Sequence, residues 1–102
     1  MTPKELYKML KTLGMPVAYF KFNEKKPLPF LVYLQTGTDT FVADENVYTK
    51  EKSFAIEYYF SVKDEEKEEQ LEQLLTKTNI KWERTEDVYI PAENIFMTTY
   101  YI

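Results

Sequence analysis

The chain has 102 residues, of which 44% are hydrophobic and 29% charged, and it carries a net charge of −4 at pH 7. That length suits one domain rather than two, and the balance of apolar and charged residues excludes a disordered chain. Cysteine and histidine are both absent, which rules out disulfides, Cys/His zinc sites and Ser-His or Cys-His nucleophile pairs.

Thirteen basic residues stand against seventeen acidic ones, and Arg84 is the only arginine. The lysines are scattered among acids, so no clustered phosphate-binding surface is expected and sequence-specific nucleic-acid binding is disfavoured. The start Met1-Thr2-Pro3-Lys4 lacks an apolar signal region, and no apolar run approaches the ~20 residues that span a bilayer. The expectation is a cytosolic protein with no membrane partner.

Thr2-Pro3-Lys4-Glu5 predicts a helix start, with Thr2 as cap, Pro3 in the first turn and Glu5 closing a capping box. Leu6, Leu10 and Leu13 recur at helical spacing, Gly14 suits a left-handed C-terminal position and Pro16 prevents continuation. Val17 to Phe22 reads as a strand. Pro27-Leu28-Pro29 keeps the chain extended, and Phe30 to Gln35 reads as a second strand. Thr36-Gly37-Thr38-Asp39 reads as a turn, Phe41-Val42-Ala43 as a third strand, and Asp44-Glu45-Asn46 as a turn back. Val47 to Ser61 is one bent strand or two.

Within it, Ser53 to Ser61 is the predicted centre of the fold. Phe54, Ile56, Tyr58 and Phe60 fall on one face, and Ala55, Glu57 and Tyr59 on the other. Asp64 then caps a second helix with Glu65 and Glu66 in its first turn, where acids favour the positive end of the helix dipole. Leu71, Leu74 and Leu75 form its apolar stripe. The rest is almost wholly charged or amide, with Glu65/Glu69 and Glu68/Glu72 as like-charge pairs on a solvated face. The helix should end near Lys77 to Asn79. Ile80 to Tyr89 reads as extended, Pro91-Ala92-Glu93-Asn94 as a break, and Ile95 to Ile102 as a last strand pinned beside the central one. The fold expected is therefore α+β in one domain over residues 1–102. It is a mainly antiparallel sheet of about five or six strands with two helices over one face, in the order α-β-β-β-β-α-β-β.

Without His or Cys, catalysis would rest on other groups, and seventeen acids make chance carboxylate pairs easy. Glu57 is the one acid embedded in a strongly apolar run. It reads as a general acid with a raised pKa or, more simply, as a polar or interface residue of the strand. No P-loop, dinucleotide fingerprint, EF-hand loop or nucleophile elbow occurs, so neither a cofactor nor a metal is expected. The compositional oddity is nine tyrosines and seven phenylalanines, 17% aromatics with the tryptophan. Tyrosine joins an apolar ring to a water-tolerant tip, which suits contact surfaces. Tyr48, Glu57, Tyr59, Tyr89, Tyr100 and Tyr101 are the interface candidates.

Met15-Pro16-Val17-Ala18-Tyr19, Pro29-Phe30-Leu31-Val32-Tyr33, Phe41-Val42-Ala43-Asp44 before Tyr48, and Ile56-Glu57 followed by Tyr59 and Lys63-Asp64 form a set of runs. Together they resemble a small protein of phages and prophages of Gram-positive bacteria. Glu68, Glu72, Leu75, Glu93 and the terminal Tyr100-Tyr101-Ile102 continue the similarity nearly end to end. Glu45 stands where that family has an amide or Asp, and Tyr58 where an aliphatic residue is usual. Proteins of this kind are described as minor capsid, head-tail joining or tail-completion proteins.

The resemblance implies a non-enzymatic neck component, most like the tail terminators, which form a commonly hexameric ring on the end of the tail tube. It implies as partners the chain itself, the tail-tube protein and head-completion or connector proteins, with no small-molecule substrate. The location implied is the host cytoplasm during assembly and then the virion neck. The competing reading is a small acidic phage-encoded inhibitor of a host protein, motivated by the net charge and the Glu-rich helix.

Overall fold

Helix α1 (Pro3–Lys11) begins at the predicted capping box. The Glu5 N–H donates to Thr2 Oγ1 at 3.1 Å and the Thr2 N–H to Glu5 Oε1 at 3.2 Å. Hydrogen bonding from the Thr2 side chain and from the Thr2 N–H holds the Glu5 carboxyl below its ordinary pKa. Gly14, two residues past the C-cap Thr12, takes φ +79°, a conformation with no Cβ penalty for glycine. The computed structural model describes residues 1–43 and 47–102, with the backbone alone for 38–43 and 47–51.

Three strands follow α1: β1 (Val17–Tyr19), β2 (Phe30–Ala43) and β3 (Val47–Phe60). The sequence places a turn at Thr36–Asp39 and a separate strand after it, but β2 runs straight through. Gly37 marks a register shift opposite Ser53, so this stretch is a bulge inside one strand. Val47 to Phe60 is likewise one strand. The turn expected at Asp44-Glu45-Asn46 lies outside the described residues. Helix α2 (Glu65–Lys77) is capped by Asp64, whose carboxylate accepts from the Glu66 and Lys67 N–H groups. It ends in a paired C-cap: the Ile80 N–H donates to Leu75 O, the Asn79 N–H donates to Thr76 O, and Asn79 takes φ +60°. After it come β4 (Glu83–Arg84), β5 (Val88–Ile90) and β6 (Ile95–Tyr101). The order is thus α-β-β-β-α-β-β-β: one strand fewer lies between the helices, and the extended segment after α2 divides at Thr85–Asp87.

The six strands make one sheet, β1-β2-β3-β6 with β4 and β5 one after the other along the far side of β6. Among the described strands only β1 and β2 are parallel. β6 pairs with β3 from Ala55↔Tyr101 to Phe60↔Phe96, as expected for a terminal strand beside the central one. Register puts Leu31, Tyr33, Phe54, Ile56, Tyr58, Phe60 and Tyr100 on a common face. They pack with Leu6 and Leu10 of α1 and Leu71 and Leu75 of α2 in one buried cluster. Each fully buried side chain of this size contributes about 1.5–3 kcal/mol. The opposite sheet face carries no helix among the described residues, yet Val32, Ala55, Ile95 and Thr99 on it are buried. Among the described residues no helix is long and apolar enough to cross a membrane.

Candidate interaction surfaces

The β2–β3 hairpin outruns the rest of the sheet. β1 reaches only Leu31–Tyr33 of β2, and β6 only Ala55–Phe60 of β3. The seven register pairs from Gly37↔Ser53 to Ala43↔Val47 form an arm with no third strand among the described residues. At roughly 3.4 Å per residue the arm reaches about 24 Å. It helps make the molecule 53 Å long against 27 and 24 Å in the other directions. Tyr48 stands in this arm, with its side chain outside the described residues.

At the other end, a charge network ties α2 to β4 and β5. Glu68 is only 3% exposed. Its Oε1 lies 2.7 Å from Arg84 Nη1, and both its oxygens lie about 3 Å from Lys63 Nζ. Arg84 also reaches Glu72 at 3.2 Å and Asp87 at 3.1 Å, and Lys63 reaches Asp87 at 2.9 Å. Burial opposes charge on all three of Lys63, Arg84 and Asp87. The pairing outweighs it, raising the pKa of the two cations and lowering that of Asp87. The sequence reading takes the Glu68/Glu72 pair as a solvated repulsion. Instead Arg84 bridges the two, and Glu68 lies under the network rather than facing water. The signal was its spacing: Glu68, Leu71 and Leu75 share one helical stripe, and an acid on such a stripe needs a cation.

Of the interface candidates, Tyr100 is a core residue. It is 0% exposed; its hydroxyl donates to Glu72 Oε2 at 2.7 Å, and its ring lies under Arg84 and edge-on to Trp82. Burial and that hydrogen bond push its phenol far above the ordinary range. Register explains the correction, because Tyr100 sits opposite Ile56 and shares the helix-covered face. Tyr101, one residue on, points to the other face and is exposed. Tyr89 is also exposed, with its hydroxyl donating to Asn94 Oδ1 at 2.8 Å and its ring against Phe96.

Glu57 and Tyr59 lie half-buried on the helix-free face, where the Tyr59 hydroxyl donates to Glu57 Oε1 at 2.9 Å. Burial and this bond raise the Tyr59 phenol. Glu57 is thus engaged by a neighbour on its own strand. Beside the pair runs a groove of about 680 Å³, lined by Phe22, Phe30, Val32, Tyr59 and Ile95, with Lys21, Lys25 and Lys26 and the acids Glu24 and Glu93 around it. These surfaces can bind by shape, aromatic contact and charge. No family model, curated protein or solved structure matches this chain.

Proposed function

We propose that this chain is a structural subunit of the head-tail neck of a long-tailed phage or prophage. In this reading it is a tail-terminator or tail-completion protein that forms a ring on the tail tube and joins it to the head. The observation that supports it most is the β2–β3 arm, which extends past every other strand of the sheet. A two-stranded ribbon alone is only marginally stable in water and gains most when it lies against a neighbour. A subunit working by contact needs such reach, and the sequence resemblance points to the same class. Its partners are then further copies of itself, the tail-tube protein and a head-completion or connector protein. It acts first in the host cytoplasm and then in the particle.

The test is deletion of the gene from the phage or prophage, followed by electron microscopy of the lysate. The expected result is unjoined heads with tails absent or irregular in length, restored by the gene in trans. Normal joined particles would overturn the reading. The acidic-inhibitor alternative draws on the exposed Glu65, Glu66 and Glu69 of α2. A pull-down separates the two: tail-tube protein favours the neck subunit, a host enzyme the inhibitor.

A further inference from the structure

The groove on the helix-free face is walled by two connecting segments. On one side runs the link from β1 to β2, residues 20–28. On the other stands the turn between β5 and β6, with Ala92 and Glu93. Between them an aromatic row covers the strands. Phe22 meets Phe30 edge-on at 5.0 Å, and Phe30 leans on Tyr59 at 5.1 Å. All three rings are only half-buried.

The first wall is basic and uncompensated. Residues 20–28 carry three lysines against Glu24, a net +2 in a chain of net −4. Lys21, Lys25 and Lys26 are exposed, and none has an ion-pair partner among the described residues. Lys63 and Arg84, by contrast, are each held by at least two carboxylates. Phe20, which also lines the groove, is 65% exposed and sits at φ +67°. Its N–H donates to Tyr33 O at 2.8 Å, and the Lys21 N–H donates to Tyr19 O at 2.7 Å, which pins this turn to β2. An aromatic residue rarely takes that conformation, and such departures gather at ligand clamps. A ring held in water beside a half-buried aromatic row forms one apolar patch, of the kind that marks a contact site.

We propose that this groove takes a short segment of a partner protein, apolar at its centre and acidic along one side. One or two apolar side chains lie on the Phe22–Phe30–Tyr59 row, with Phe20 closing over them, and the carboxylates face Lys21, Lys25 and Lys26. The rings supply the desolvated contact and the lysines set the orientation. Glu93 repels a carboxylate on the far wall, so the acids of the segment belong on one side only. A small molecule fits less well, because the charged groups around the groove are exposed lysines and glutamates rather than convergent buried ones. Single-stranded nucleic acid would use the same rings and lysines, but it would bring its phosphates against Glu24 and Glu93 in an acidic chain. The inference stands apart from the neck reading, since a groove of this chemistry selects a segment and not a particle.

Amide nitrogen–proton NMR spectra of the full-length chain test it, titrated with probe peptides. The probes are acetyl-Asp-Glu-X-Leu-amide with X as Leu, Phe, Tyr or Trp, the same set with Lys for both acids, and a short oligothymidylate. At least one acidic peptide should move the amides of Val32, Tyr59 and Ile95 at up to about 1 mM. The basic set should bind about tenfold more weakly or not at all. Lys21→Glu/Lys25→Glu should weaken the acidic peptide about tenfold, whereas Lys4→Glu/Lys8→Glu, an equal charge change on exposed positions of α1, should leave it unchanged. Phe20→Asn keeps a residue that accepts positive φ, so the fold stays while the ring is lost, and binding should again weaken about tenfold. The spectrum of each variant shows directly that it is folded. Four outcomes would each overturn the inference. They are no shift at the groove with any acidic peptide, equal binding of the basic set, equal weakening by the α1 variant, and oligothymidylate binding the groove more tightly than the peptides.

Discussion

Two buried tyrosines on the same sheet face should respond oppositely to the same edit. Tyr58 is 1% exposed, and its hydroxyl has no hydrogen-bond partner among the described residues. Its ring stacks on Phe60 at 5.3 Å, a contact that phenylalanine would keep. Removing an unsatisfied buried hydroxyl recovers its desolvation cost, about 1–2 kcal/mol. Tyr58→Phe should therefore stabilise the fold. With a urea m-value of about 1–3 kcal/mol/M, the unfolding midpoint should rise by about 0.5–1 M at unchanged slope. Tyr100→Phe removes an equally buried hydroxyl, but one donating to the Glu72 carboxylate at 2.7 Å. Hydrogen bonds to charged groups contribute about 1.5–3 kcal/mol, so this midpoint should fall by a comparable amount. Urea unfolding of both variants beside wild type measures the contrast. A lower midpoint for Tyr58→Phe would refute the reasoning, because it would mean the hydroxyl is satisfied in solution.

The charge network gives the next predictions. Arg84→Met leaves Glu68 buried with Lys63 as its remaining partner and should cost about 3 kcal/mol by thermal or urea unfolding. Asp87 has its pKa held below the usual 3.8 by Lys63 and Arg84, despite burial that pushes it up. Its contribution is therefore present above the unfolded value and is lost as pH falls below about 4 through the lowered folded value. Asp87→Asn should lose that stability at neutral pH and show a shallower decline on acidification. At the alkaline end, burial, with Glu68 and Asp64 nearby, pushes the Tyr58 phenol up to about 12, and Tyr100 is raised further. A raised folded value means full stability below the unfolded value near 10 and loss above it, about 1.4 kcal/mol per pH unit for each of the two. Unfolding monitored by tyrosinate absorbance should show a steep loss of stability from pH ~10 upward, which Tyr58→Phe makes less steep.

Much of this architecture is legible wherever local chemistry and tertiary structure agree. The row Phe54, Ile56, Tyr58 and Phe60 is buried because an alternating apolar run has only one satisfactory register against two leucine-striped helices. Thr2/Glu5 and Asp64 mark helix starts because capping is satisfied within three residues. Gly37 misled because a glycine in a polar stretch signals a turn and a bulge alike. Only the partner strand, running on past Ser53, decides between them. Tyr100 and Tyr101 could not be told apart because both parities of the last strand are apolar or aromatic, and pairing with Ile56 and Ala55 sets their faces. The ion network depended on Arg84 and Asp87, which follow α2 in the chain and return to it through the sheet. No local pattern foretells that return, and only Glu68 on the leucine stripe hinted at it.

The grooved, helix-free sheet face and the arm give a small fold more surface suited to contact than its core requires. A particle that closes through repeated subunits uses such surfaces on every side. The measurement that bears most directly on this account is mass spectrometry of gradient-purified phage particles, joined to gold labelling of a tagged copy of the chain. The account predicts the protein in the particles at several copies each, with label at the head-tail junction. Particles that are complete and infectious without it, or label dispersed in the lysate and absent from the neck, would contradict it.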